Sequence, residues 1–172
     1  MMAARRWTAE RLIELLRLEP HPEEGGFFRE TYRSESTFRP GGEFAGSRSV
    51  ATAIYYMLTA ETYSALHRLP GDELFHFYLG DPVEMLMLSP DGRSDVVVLG
   101  SDLESMRVQQ VVPGNTWQGS RLVEGGNWAL LGTTMAPGFD YADYEKGTPA
   151  LLHSHPEHGA LIEALLPRVI LY

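Results

Sequence analysis

An all-β sandwich or barrel with a helix near each end is the fold class that this 172-residue sequence predicts. Three observations carry it. From residue 50 onward, short runs of β-branched, aromatic and other apolar residues alternate with turn signals at a spacing of roughly eight to twelve residues. The turns PGD, GDP, PDGR, PGN and EGG hold the Gly, Pro, Asn and Asp that reverse a chain. Apolar residues at helical spacing occur near the two ends.

Taken in order, TAERLIELLRLEP reads as a helix. Leu12, Ile13, Leu15, Leu16 and Leu18 form its apolar stripe, Thr8 caps it and Pro20 is expected to stop it. HPEEGGFFRETYRSES turns at Gly25-Gly26, then runs extended through Phe27, Phe28, Thr31 and Tyr32. TFRPGGEFAGSRS reads as a loop or lid without a helix or strand of its own. VATAIYYMLT, YSALHRL, ELFHFYL, VEMLMLS, SDVVVLG, MRVQQVV, TWQGSRLV and NWALLGTTM read as strands, with a hairpin at PDGR. HPEHGALIEALLP reads as a closing helix. No repeat, low-complexity tract or linker interrupts residues 1–172, so one domain is the simplest account.

Hydrophobic content of 44% and charged content of 22% are those of an ordinary globular domain. A formal net charge of −9 argues against nucleic-acid or anionic-membrane partners, which require a positive field. The absence of cysteine excludes disulfides and thiolate metal sites and permits a reducing, cytoplasmic setting, which is the expected localisation. The N-terminal MMAARRWTAERLIELL is broken by charge before any long apolar run, so neither a signal peptide nor a membrane span is expected.

The chemistry concentrates in SALHRLPGDELFHFYLGDP, where His67 is followed by Glu73 and then Gly80. That spacing resembles the first cupin motif, H-x-H-x3-E-x6-G, with Leu69 standing at the second histidine. PGNTWQ resembles the second motif, with Asn115 at its glycine and Gln118 at its histidine. Together with LEPHPEEGGFFRETYRS, VVPGNTWQGSRL and APGFDYADYEKG…HPEHGALIEALLP, these segments make the chain similar to the cupin-5 (domain-of-unknown-function 985) family over most of its length. The resemblance implies a double-stranded β-helix, or jelly-roll, barrel and a homodimer. It implies no assigned activity, although some members have been compared in fold with metal-independent epimerases of dTDP-sugars.

Two good donors, His67 and Glu73, are too few for a strong metal centre, because Leu69 cannot ligate and the Gln118 amide ligates poorly. No cofactor is expected, with a weak metal site at His67 and Glu73 as the exception. A Glu–His pair in an apolar barrel would instead exchange a proton near neutral pH; an ordinary buried hydrogen bond between strands is the alternative. Simple alternation places Glu73 on one strand face with Phe75 and Phe77, and His76 on the other with Leu74 and Tyr78. His76 is then a packing or interface residue, or lines a second side of the cavity. The candidate catalytic residues are His67, Glu73 and His76. The candidate ligand-binding residues are Ser64, Phe75, Phe77, Trp117 and Gln118. Ser64, three residues before His67, falls on the opposite face by alternation and is the weaker candidate. Trp117 is either a stacking platform or a core aromatic, and one of Tyr55 and Tyr56 faces inward. His153, His155 and His158 with Glu157 read as a solvated helix start.

Three functions fit these residues. The first is a metal-independent isomerase or epimerase acting on a small polar ligand, a sugar or nucleotide sugar. There His67 is the base, Glu73 its partner or the acid, and Trp117 and Gln118 hold the substrate. The others are a binding protein without chemistry and a metal-dependent cupin enzyme. The apolar strands YYMLT and EMLML are a further reason to expect a homodimer, as more than one barrel can bury.

Overall fold

The structure is a computed structural model that describes residues 7–168. Arg5 and Arg6, part of the N-terminal segment considered above, lie outside the described residues. Helix α1 (Ala9–Leu16) is capped by Thr8, whose side chain accepts from the Arg11 amide. It ends earlier than Pro20: Arg17 adopts a left-handed conformation, and the Leu18 amide returns to the Ile13 carbonyl. Pro20 instead lies in the short strand β1 (Glu19–Pro20).

The remaining strands are β2 (Phe27–Arg33), β3 (Thr37–Phe38), β4 (Arg48–Ser49), β5 (Thr52–Thr59), β6 (Ser64–Arg68), β7 (Glu73–Gly80), β8 (Val83–Leu88), β9 (Ser94–Leu99), β10 (Gln109–Val112), β11 (Trp117–Leu122), β12 (Trp128–Met135) and β13 (Glu145–Lys146). The chain closes with α2 (Ala150–Ser154) and α3 (Gly159–Leu165). The expected loop from Thr37 to Ser49 does carry strand: its ends pair as β3 and β4.

Antiparallel pairing gives a six-stranded sheet, β1-β2-β5-β12-β7-β10, and a five-stranded sheet, β13-β6-β11-β8-β9. Their inner faces share a core that includes Tyr56, Leu58, Phe75, Met85, Leu99 and Leu131. Each sheet is also covered outside. Helix α1 lays Leu12 over Met57, Trp128 and Leu130. Leu151, Ile162 and Leu165 of α2 and α3 lie over Leu66, Leu86 and Leu88. This explains why VEMLML does not alternate. Val83, Met85 and Met87 point into the barrel, and Leu86 and Leu88 point under the helices, so both faces are dry. The strand apolarity that suggested a second chain is therefore buried within this one: Met57, Leu58, Met85, Leu86 and Leu88 are all at most 1% exposed.

The C-terminal histidines are not a uniformly solvated helix start. His155 is buried with Nδ1 2.9 Å from the Ser154 hydroxyl, and His158 Nε2 meets Ser94 Oγ at 2.9 Å. Among the described residues, no helix is long and apolar enough to cross a membrane.

Candidate functional site

A cavity of about 480 Å³ opens at one end of the barrel. The inner face of the six-stranded sheet forms its wall through Phe28, Ile54, Glu73, Thr133 and Met135. Two irregular segments complete it: the turn from His21 to Gly26, and a strap after β12 that contributes Phe139, Asp140 and Tyr141.

The turn is built from its own backbone. His21 Nδ1 accepts the amides of Glu24 (2.9 Å) and Glu23 (3.3 Å), so the ring proton resides on Nε2, 3.8 Å from Glu24 Oε2. Gly25 and Gly26 have φ of +94° and +68°, and a Cβ at Gly26 would meet the Met57 carbonyl at 2.6 Å. The Glu24 carbonyl accepts from the Ala65 amide, which fastens the turn to β6. Glu24 is thereby aimed inward, where the Ser64 hydroxyl donates to Oε1. Burial raises its carboxyl pKa, opposed by His21 and by the hydroxyls of Ser64 and Tyr56. Tyr56 is the inward-facing member of the tyrosine pair, its hydroxyl donating to the Gly25 carbonyl at 2.8 Å.

His67 lies behind these groups, 1% exposed. Its Nδ1–H donates to the Ala65 carbonyl at 2.7 Å, which leaves the Nε2 lone pair facing Glu24 Oε2 at 4.0 Å. Tyr144 of the strap stacks on the ring, with centroids 4.9 Å apart. Burial lowers the His67 pKa, with Glu73 pulling the other way. Glu73 is 7% exposed and accepts from Gln118 Nε2 at 2.8 Å. Burial, reinforced by the Glu24 charge, pushes its carboxyl up to about 7; His67 and hydrogen bonds from Gln118 and Thr133 restrain the rise. The interior thus holds two carboxyls that resist simultaneous ionisation and a neutral imidazole with a free lone pair.

The structure brings together four of the residues named from sequence: His67, Glu73, Gln118 and Ser64. Ser64 corrects the alternation argument. The β6–β11 register shifts between Gln118 and Ser120, and this irregularity lets Ser64 and His67 both reach Glu24. Phe75 shares the Glu73 face but lies deeper, in the core, with Phe77 packed against it. His76 lies on the outer face, with Nε2 3.2 Å from Thr134 Oγ1 and its ring stacked on Tyr78. Trp117 also faces away from the cavity; it packs beneath α3 with Arg68 4.7 Å from its ring centroid. Sequence reasoning did not single out His21, Glu24, Arg33, Tyr141 or Tyr144. The available signal is HPEEGG, a His and two Glu ahead of a glycine pair, which by its turn chemistry reads only as a turn.

The donors do not suit a firmly held metal. Among the described residues, no group of three or more His, Asp or Glu side chains has an arrangement that could hold a metal ion. Leu69 lines the cavity where a second histidine would stand, and the amide oxygen of Gln118 is a poor substitute for an imidazole.

The chain is 34% identical to the solved structure of protein SO0799 from Shewanella oneidensis, with TM-score 0.83 over 95% of this chain and 99% of that one. It is 33% identical to a hypothetical protein from Leishmania major, also with TM-score 0.83, covering 94% of this chain and all of that one. It is 30% identical to the uncharacterized protein YML079W of Saccharomyces cerevisiae, over 85% of this chain and 79% of that protein. A Mn(II)-containing oxalate decarboxylase from Bacillus subtilis shares the fold at TM-score 0.52 and 14% identity, over 88% of this chain and 41% of that one. Residues 10–147 match the family described as cupin superfamily (DUF985), and the chain belongs to that family.

Proposed function

We propose that the cavity is an acid–base site that isomerises or epimerises a small polar ligand by moving a proton at carbon. The observation that supports this best is Glu73. It borders the cavity, is held by Gln118 and Thr133, and has a carboxyl pushed up to about 7, so both protonation states are populated near neutrality. In this reading the Glu73 carboxylate takes a proton from a carbon next to a carbonyl, leaving an enolate, and the same or the second carboxyl, Glu24, returns it. His67 does not line the cavity; it is a positioning residue whose neutral Nε2 faces the carboxyl pair. The roles expected for Trp117 and His76 are withdrawn, since both side chains face away from the cavity. A nucleotide sugar is also a poor fit. The basic lining residue Arg33 is engaged by both carboxylate oxygens of Glu30 and by the Phe139 carbonyl, which leaves phosphates no free cation among the described lining residues.

The test is solvent exchange. Protein in D2O is incubated with a panel of aldoses, ketoses and amino sugars, and deuterium at carbon is read by mass spectrometry. Exchange that disappears in Glu73→Gln and survives in His76→Ala supports the reading. Ligands that bind and return without deuterium would leave a binding protein.

A further inference from the structure

The charges around the cavity do not balance. Its lining includes Glu24, Glu30, Glu73 and Asp140 against a single guanidinium, Arg33, which Glu30 already holds. Nearby cations are committed as well: Arg48 to Asp143, Arg68 to Glu145, and Lys146 to Glu23. His21 adds no charge at neutral pH, because burial disfavours its protonated form. A second feature lies behind Glu73. Gln118 is 2% exposed; its Nε2 grips Glu73, but its Oε1 is buried without a hydrogen bond. The walls are aromatic. His21 lies 4.7 Å from Phe28, and Phe139 meets Tyr141 edge-on at 4.8 Å.

We propose that the ligand of this cavity is a small cation, an amine or amidine on a compact planar frame, seated between the aromatic wall and the Glu24–Glu73 pair. This deepens the acid–base reading and rests on its assignment of the cavity as the ligand site. The ligand supplies the positive charge that the protein lacks there. Its N–H groups meet Glu24 and Glu73, and its plane lies along Phe28 and Tyr141. Anions meet uncompensated carboxylates and are rejected.

Three probes of one shape and different charge test this: benzylammonium, benzyl alcohol and benzoate, titrated calorimetrically into the intact protein in mildly alkaline buffer at fixed ionic strength. UDP serves as the phosphate-bearing probe. Benzylammonium is expected to bind at least ~10-fold more tightly than benzoate. Glu24→Gln should shrink that gap and leave benzyl alcohol unchanged. Tyr141→Ala, at the exposed rim, should weaken all three ring compounds alike. The proposal is overturned if benzylammonium shows no saturable binding, if benzoate or UDP binds as tightly, or if Glu24→Gln leaves the gap intact. Cation preference without deuterium exchange would remove the catalysis and keep the ligand class. Exchange into a neutral or anionic compound, without cation preference, would do the reverse.

Discussion

Gln118 Nε2 donates a 2.8 Å hydrogen bond to Glu73 Oε2 across the barrel interior, linking β11 of one sheet to β7 of the other. The bond favours the ionised carboxyl, and it is one of two side-chain hydrogen bonds that restrain the upward push of burial. Gln118→Leu removes the donor while keeping the bulk. The Glu73 midpoint should then rise from about 7 by about one further unit, as read from its side-chain carboxyl carbon by NMR.

Glu73 itself sets a pH dependence of stability. Its ordinary carboxyl value is 4.5, and in the fold it is about 7. Between those values the native state holds the proton more tightly than the unfolded chain, so this residue's contribution declines as pH rises through the window. Below the window the residue is protonated in both states and contributes no difference. Glu73→Gln, which cannot ionise, should therefore melt close to wild type in acid. Above neutrality it should melt higher by several degrees, on the order of a few kcal/mol. Paired thermal melts across the range check this. A gap that widens toward acid would show the sign to be wrong.

Arg48 and Asp143 form an ion pair with side chains 4% and 7% exposed, and it ties the strap to β4. Arg48→Met leaves a buried carboxylate without its partner and should cost about 3–5 kcal/mol in denaturant unfolding. Adding Asp143→Leu should recover much of that loss, because the stranded charge is then gone. A double variant as unstable as the single one would assign the effect to lost packing against Phe44, whose ring centroid lies 5.9 Å from the Arg48 guanidinium.

The His67 tautomer follows from its Ala65 contact. Long-range nitrogen–proton NMR should show Nδ1 protonated and Nε2 bare at neutral pH. Because burial lowers its pKa, the ring should remain neutral below the ordinary value of 6.5. An imidazolium signal at pH 7 would overturn the placement of a free lone pair beside Glu24.

Gly26 has φ of +68°, and a Cβ there would approach the Met57 carbonyl to 2.6 Å. Gly26→Ala should lower stability by about 1–3 kcal/mol. It should also loosen the turn that aims Glu24, so benzylammonium affinity should fall with the melting temperature. Unchanged affinity would separate the turn's structural role from the site.

Much of the architecture could be read locally. Thr8 as a cap, the strands from Thr52 to Met135 and the face shared by Glu73, Phe75 and Phe77 all follow from short-range periodicity and turn chemistry. The same period placed His76 opposite Glu73, where it lies on Thr134. Alternation failed at Ser64 because a register irregularity between paired strands is a property of the pair, which neither strand encodes by itself. Arg17 ended α1 before Pro20 for a related reason: a left-handed cap at a non-glycine residue has no strong sequence mark.

The sequence by itself determined that this is an all-β domain of the cupin kind with Glu73 and His67 in its interior, because strand period and motif spacing are local quantities. Only the tertiary structure decided that Glu24 and His21, more than forty residues earlier, complete the site, and that Trp117 and His76 do not. Which side chains converge depends on the register between strands and on two irregular segments crossing the barrel mouth. The charge of the cavity depends on which cations are already paired, and those pairs join residues as far apart as Glu23 and Lys146.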